Sequence, residues 1–232
     1  MISRIAAAFR LFRQQTDKKL NNTQAGVVLN GLLAQGVYLP LTSSALDLVN
    51  MAIVLNDIVI NERKTIVEFG SGASTVLIAR LLKRNGIDAR IYTIDHDEKW
   101  LAVVQRLLQQ ENLSSYVTLI PAPLTANNIS LEHHQWYDTT VCDVALSGLS
   151  VDMVIVDGPP AWDKSIALAR YPAVPYLKSR LSENCVIYLD DAGRIGEQQI
   201  LQSWAQLLGA PFRIVGNDFG AIPQGSFFNP YV

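Results

Sequence analysis

Five carboxylates stand where short apolar runs end: Glu68 in TIVEFGSGAST, Asp95 in TIDHDEKW, Asp157 in DMVIVDGPP, and the pair Asp190-Asp191 in VIYLDDAGR. In an open parallel sheet, ligands collect beyond the carboxyl ends of the strands, so these are positions that can do chemistry. Behind Glu68, Gly70 and Gly72 permit backbone angles and close approaches that a side chain forbids. Ser71, Ser74 and Thr75 add small hydroxyls near the free backbone donors of a starting helix. A dinucleotide turn would need a glycine where Thr75 stands, and a phosphate loop would need a lysine that this turn lacks. Glu68 itself repels phosphate and suits a cation such as an ammonium or sulfonium group; its plainer role is to satisfy polar groups of its own loop. Asp95 follows Gly70 by 25 residues, about the separation at which an acidic side chain closes on the hydroxyls of a ribose. His96, next to it, would meet an adenine or face solvent.

Asp157 and Asp190-Asp191 end neighbouring runs. Three carboxylates converging on one cleft either raise one another's pKa and supply a general base, or hold a divalent cation through oxygen ligands. The plainer alternative is pairing with Arg170 or Arg194. Trp162, Lys164, Tyr171 and Glu197 fall near the same cleft; His133 and His134 are adjacent, so they point to different faces and make a poor metal pair.

The elements that must position these residues alternate short β-branched runs with helical patterns, which predicts a parallel sheet covered by helices. Strands are expected at Thr65 to Phe69, Arg90 to Ile94, Val117 to Ile120, Asp152 to Val156 and Cys185 to Leu189. Helices are expected from about Ser74 to Asn85, after an Asp97 cap, and from Gly196 to Leu208, with a broken helical pattern around Ala167 to Leu181 that Pro172 and Pro175 interrupt. Pro121 to Ser150 is polar and shows no clear element. FRIVG and FGAIPQG read as a terminal hairpin. The expected fold is thus α/β: a doubly wound, mostly parallel seven-strand sheet with a C-terminal antiparallel hairpin. Residues 1–63 form an N-terminal helical extension that covers the sheet's edge or the ligand mouth in this reading, with Thr42 or Ser43 capping a helix through Leu46, Val49 and Ile53, and residues 64–232 form the ligand-binding domain.

Composition narrows the function. With 19 basic against 21 acidic residues and a formal charge of -2, no basic field exists to hold a nucleic acid, so a small molecule is the expected partner. Cys142 and Cys185 stand apart in apolar stretches, as buried free thiols do, which points to a reducing, cytoplasmic setting. The longest apolar stretch, Ala45 to Ile60, is broken by Asp47, Asn50, Asn56 and Asp57 and is no membrane span. The start places Ile2, Ile5, Phe9 and Phe12 on one helical face, away from Arg4, Arg10 and Arg13. Such a helix is expected to dock on its own domain or on a second copy in a homo-oligomer, in preference to a membrane surface.

The motifs VEFGSGAST, TIDHDEKW, DMVIVDGPP and VIYLDDAGRIGE, in this order from Lys64 onward, resemble those of class I S-adenosylmethionine-dependent methyltransferases. More narrowly, DGPP followed by ARYPAVPYL and DDAGRIGEQQILQSW is similar to a group of small bacterial methyltransferases. The resemblance implies that Gly70, Ser71 and Gly72 wrap the methionine part of the donor, that Glu68 orients its ammonium group, that Asp95 binds the ribose and that Asp157 faces the sulfonium or the acceptor. It also implies methyl transfer to a small-molecule acceptor, with a hydroxyl favoured because carboxylates suit its deprotonation. Asp157 with Asp190-Asp191 is similar to the magnesium ligands of catechol-type O-methyltransferases, with Asp191 in place of an amide. DGPPAW departs from the signature of enzymes that methylate amino groups on bases, because Gly158 breaks its spacing. An NAD-dependent oxidoreductase shares the general plan, and a donor-binding subunit without catalysis shares the donor motifs.

Overall fold

In a computed structural model, residues 2–231 are described; the side chains of residues 2–8, 10, 11 and 14 lie outside that description. The elements are α1 (Ile2–Leu33), α2 (Leu48–Ile60), β1 (Thr65–Phe69), α3 (Ala73–Asn85), β2 (Arg90–Asp95), α4 (Glu98–Gln110), β3 (Val117–Pro121), β4 (Leu124–Ala126), β5 (Gln135–Tyr137), α5 (Thr139–Ala145), β6 (Val151–Val156), α6 (Ala173–Leu177), β7 (Leu181–Leu189), α7 (Ile195–Leu208), β8 (Arg213–Val215) and β9 (Phe219–Pro223). The main sheet runs β3-β2-β1-β6-β7-β9-β8. Its first five strands are parallel, and β9 pairs antiparallel with both β7 and β8.

Alternate residues of the central strands bury on opposite faces, as pleating requires. Ile66, Met153 and Val186 face a core shared with α1, α2 and α3, while Val67, Val154 and Ile187 face one shared with α5, α6 and α7. Both faces are covered, so the strands read as continuous apolar runs. Helix ends follow their residues. Asp97 accepts from the backbone N–H of Lys99 and Trp100 to start α4, and Gly86 and Gly209 close α3 and α7 in the left-handed conformation.

Two expectations need correction, and a third falls partly outside the described residues. The polar stretch from Pro121 to Ser150 contains the antiparallel pair β4 and β5 and then α5, started by Asp138, whose carboxylate accepts from Thr140 N–H. These strands are too short to carry a legible alternation. Neither Thr42 nor Ser43 caps α2: that helix begins at Leu48, and the two residues lie in the preceding loop. The expected apolar face of α1 lies partly outside the described residues, since the side chains of Ile2, Arg4, Ile5 and Arg10 are not described; Phe9 and Phe12 are exposed and Arg13 pairs with Asp17 at 3.8 Å. Cys142 and Cys185 are buried free thiols.

Register puts the chemistry in one row. Phe69 pairs with Ile94 and Val156, and Val156 pairs with Leu189. The next residues, Gly70, Asp95, Asp157 and Asp190, therefore emerge at one height. Backbone bonds tie the row together: Gly70 N–H to Ile94 O, Asp157 N–H to Phe69 O, and Asp190 N–H to Val156 O, at 2.9 to 3.0 Å.

Candidate active site

A cleft of about 620 Å³ opens over this row. Its floor is Gly70 to Ser74 and Asp95 to Asp97; one wall is Asp157 to Trp162 with Asp190, Asp191, Arg170 and Arg194; the other is Pro40 and Thr42 to Leu46, from the segment between α1 and α2. The structure thus brings Gly70, Ser71, Gly72, Ser74, Asp95, His96, Asp157, Asp190 and Asp191 together.

At the donor end the chain is tightly tied. Gly70 has φ 94°, and a Cβ there would stand 3.0 Å from Gly158 N, so both conformation and space demand glycine. Asp95 Oδ2 accepts from Ser71 N–H (2.9 Å) and Ser71 Oγ (3.0 Å), and Oδ1 accepts from Asp97 N–H (3.0 Å). The Trp100 indole donates to Ser71 O at 2.7 Å.

Glu68 corrects the reading that gave it the donor's ammonium group. Its side chain is fully buried below the cleft, where Ser74 Oγ (2.5 Å), Thr75 Oγ1 (2.5 Å) and Thr93 Oγ1 (2.7 Å) all donate to it. Burial raises its pKa and the three hydroxyls pull it back down, with a net rise. Thr75 is likewise buried out of the cleft, and its hydroxyl accepts from Gly72 N–H at 3.0 Å. Both residues shape the turn from beneath. Glu68 is buried, takes three hydroxyl donors and does not line the cleft, which sequence spacing alone does not reveal.

The acceptor end is differently built. Oxygen atoms of Asp157, Asp190 and Asp191 lie within 4.8 Å of one another. Beneath them the buried Arg170 donates to Asp157 O (2.7 Å), Asp157 Oδ1 (3.2 Å), Asp190 O (3.2 Å) and Asp191 Oδ2 (3.2 Å). Arg194 approaches Asp191 Oδ2 at 2.8 Å and the buried Glu197 at 3.5 Å. Two guanidinium groups thus face four carboxylates. Burial first, and the Asp190 charge next, hold the Asp157 carboxyl well above its usual range. Burial first, and Asp191 next, push Asp190 up to about 7. Asp191 has φ 60°, a left-handed conformation that Asp and Asn tolerate better than other non-glycine residues. Asn50, from α2, donates through Nδ2 to Asp190 Oδ1 at 3.1 Å.

The structure does not assemble every candidate. Lys164, Tyr171 and Glu197 do not line the cleft, nor do His133 and His134; the last is buried near Glu132 at 3.6 Å. Tyr137, Trp100 and Asn50 join the site without having been singled out, and the loop at Thr42 to Leu46 lines it from the region expected to cover the sheet's edge or the ligand mouth. For Tyr137 the available signal was a Trp-Tyr pair inside an otherwise polar stretch.

Fold and cleft together define a doubly wound α/β protein whose ligands lie beyond the strand ends, and the antiparallel β9 beside β7 departs from the six-strand dinucleotide-binding order. A family model described as "Methyltransferase domain" matches residues 67–192, more than half of the chain, and the chain belongs to that family. Solved structures with a similar fold include a proposed caffeoyl-CoA O-methyltransferase from Staphylococcus aureus (14% identity, 92% of this chain and 100% of that one covered, TM-score 0.58). Others are an O-methyltransferase from Bacillus cereus in complex with SAH (15%, 87% and 91%, 0.55) and a methyltransferase from Geobacter sulfurreducens (15%, 97% and 97%, 0.55). At these identities the likeness is one of fold. No curated protein matches the sequence.

Proposed function

We propose that the protein transfers a methyl group from S-adenosylmethionine to a hydroxyl of a small molecule. The observation that carries this reading is the juxtaposition, in one cleft, of the Gly70 to Ser74 turn with the three-carboxylate cluster of Asp157, Asp190 and Asp191. The donor supplies a methyl carbon activated by its sulfonium, so the protein has mainly to align donor and acceptor and to take up the acceptor's proton. The turn from Gly70 to Ser74 offers main chain without bulky side chains, and Asp95 and His96 stand at the neighbouring strand end for the adenosyl part. The acceptor lies over Asp157, whose carboxyl is held by burial well above its usual range, which favours uptake of the acceptor's proton.

A divalent cation fits the acceptor end. Two arginines face four carboxylates, the ligand set is all oxygen, and Asp190 is pushed up by burial first and by the Asp191 charge next. Asp157, Asp190 and Asp191 would hold a magnesium ion, which would supply Lewis-acid polarisation of an acceptor hydroxyl. Residues 1–63, in this reading, complete the acceptor pocket through the loop at Thr42 to Leu46.

Methyl transfer from labelled S-adenosylmethionine to a panel of phenols, vicinal diols and sugars, run with and without chelator and magnesium add-back, tests both parts. Product on a hydroxyl acceptor is expected, with activity lost to chelation and restored by magnesium. Transfer indifferent to chelation removes the metal, and failure to bind S-adenosylhomocysteine removes the donor assignment.

A further inference from the structure

We propose that the Tyr137 hydroxyl donates a hydrogen bond to the adenosyl part of the bound methyl donor, making the β5 strand a wall of the donor site. The inference rests on the donor assignment above and adds a residue to it.

Tyr137 is fixed and fully buried. Its ring stacks on Phe69 at the end of β1 (centroids 5.7 Å, planes 23° apart) and meets Trp136 edge-on at 5.6 Å. Such packing leaves the ring no alternative placement. Its hydroxyl, however, is buried and has no hydrogen-bond partner among the described residues. A buried polar atom without a partner is uncommon and calls for an explanation.

Its position supplies one. A Cβ built on Gly158 would collide with the hydroxyl and would also stand 3.0 Å from Gly70 Cα. The hydroxyl therefore lies at the seam where the loops after β1 and β6 touch. The ring of His96, at the end of β2, is 6.4 Å from the Tyr137 ring. The side chain lines the cleft with Gly70, Asp95 and His96, and its hydroxyl also meets Gly158, next to Asp157, so it stands where the donor turn joins the end of β6. Because Gly158 has no side chain, the space beside the hydroxyl is left clear of one.

Its chemistry selects what it meets. Burial first, and the charge of Asp95 next, hold the phenol far above its ordinary range, so it stays protonated and acts as a donor rather than a base. It requires a lone pair in reply, and the ring nitrogens and ribose oxygens of an adenosyl group present several.

The test is Tyr137→Phe, which preserves the packed ring and removes only the unpaired group. Titration calorimetry with S-adenosylhomocysteine is expected to show roughly tenfold weaker binding for the variant. The ligand-free variant is expected to melt at the same temperature or about 2 °C higher, because an unsatisfied buried hydroxyl has been removed. A purely structural tyrosine would give the opposite pair of results: a lower melting temperature and affinity that falls only as the fold loosens. Equal affinity in the two proteins overturns the role of Tyr137 while leaving the donor assignment standing. Failure of the wild-type chain to bind S-adenosylhomocysteine overturns both.

Discussion

The two ends of the cleft are built from the same kind of residue and treat it in opposite ways. At the donor end, Glu68 receives three hydroxyl donors and Asp95 receives two main-chain N–H groups and a hydroxyl. At the acceptor end, Asp157, Asp190, Asp191 and Glu197 share Arg170 and Arg194; burial foremost pushes up the carboxyls of Asp157, Asp190 and Glu197, as it does that of Glu68, but for Asp157 and Asp190 the next cause is a neighbouring carboxylate that adds to the rise. A satisfied carboxylate holds a loop in shape. An under-compensated one stores affinity for a proton or a cation, which is how a site prepares for a charge that arrives with the substrate. The contrast separates positioning from chemistry more sharply than residue type does.

Removing the carboxyl at the end of β6 should break the comparison most visibly. Asp157→Asn is expected to lower kcat by about 10²- to 10⁴-fold, the range of lost acid–base function, while calorimetry finds S-adenosylhomocysteine binding unchanged. A parallel loss of donor affinity would mean that Asp157 belongs to the donor end and that the division is wrong.

Stability should then move in opposite directions at the two ends. Glu68→Ala strands three hydroxyls in the interior, and urea denaturation should show a loss of about 2–4 kcal/mol. Its effect on turnover should enter through donor KM, because the Gly72 to Thr75 turn is what loosens. Asp190→Asn, in contrast, is expected to leave the metal-free protein as stable or more so at pH 8. The sign follows from linkage: the folded pKa of Asp190, about 7, stands above its ordinary value of 3.8. Its contribution is present below the ordinary value and lost as pH rises through about 7. The melting temperature of the metal-free wild type should therefore fall between pH 4 and pH 7. Magnesium should restore it above pH 7, and Asp190→Asn should flatten the slope. A wild-type profile that rises across that window would contradict the under-compensated acceptor end.

The strand ends were legible because their signal is local: an apolar run, a carboxylate, a glycine. That was enough to place Gly70, Asp95, Asp157 and Asp190 in one row, as the register of β1, β2, β6 and β7 confirms. It was not enough to tell which way Glu68 turns. Its direction is set by Thr93 on the neighbouring strand and by Ser74 and Thr75 one helical turn on, and only the paired strands bring these together. Tyr137 was hidden for a similar reason, in a three-residue strand whose only partner is β4. Arg170, a pairing partner for the acceptor-end carboxylates on the sequence reading, sits in a segment broken by prolines, and its forked donors meet Asp157 and Asp190 only because β6 and β7 end side by side.

The smallest effect concerns the region that reads as an extension in the sequence. α2 is buried against the sheet, and its Asn50 joins the hairpin turn to the site: Nδ2 donates to Asp190 Oδ1 at 3.1 Å and to Asn217 O at 2.9 Å, and Oδ1 accepts from Asn217 N–H at 2.8 Å. Asn217 Nδ2 in turn donates to Asp47 at 2.9 Å and to Lys18 O at 3.2 Å. Asp190 is thereby held by a chain of amides that begins in α1. Asn50→Ala should reduce kcat/KM for the acceptor by about tenfold, the lower end of what a supporting partner of a ligating carboxylate contributes, with the affinity for S-adenosylhomocysteine unchanged. The loss should exceed what destabilisation explains, and added magnesium should recover part of it by holding Asp190 from the other side. Unaltered acceptor kinetics in the variant would reduce α2 to a cover for the core and would confine the acceptor end to the strand loops.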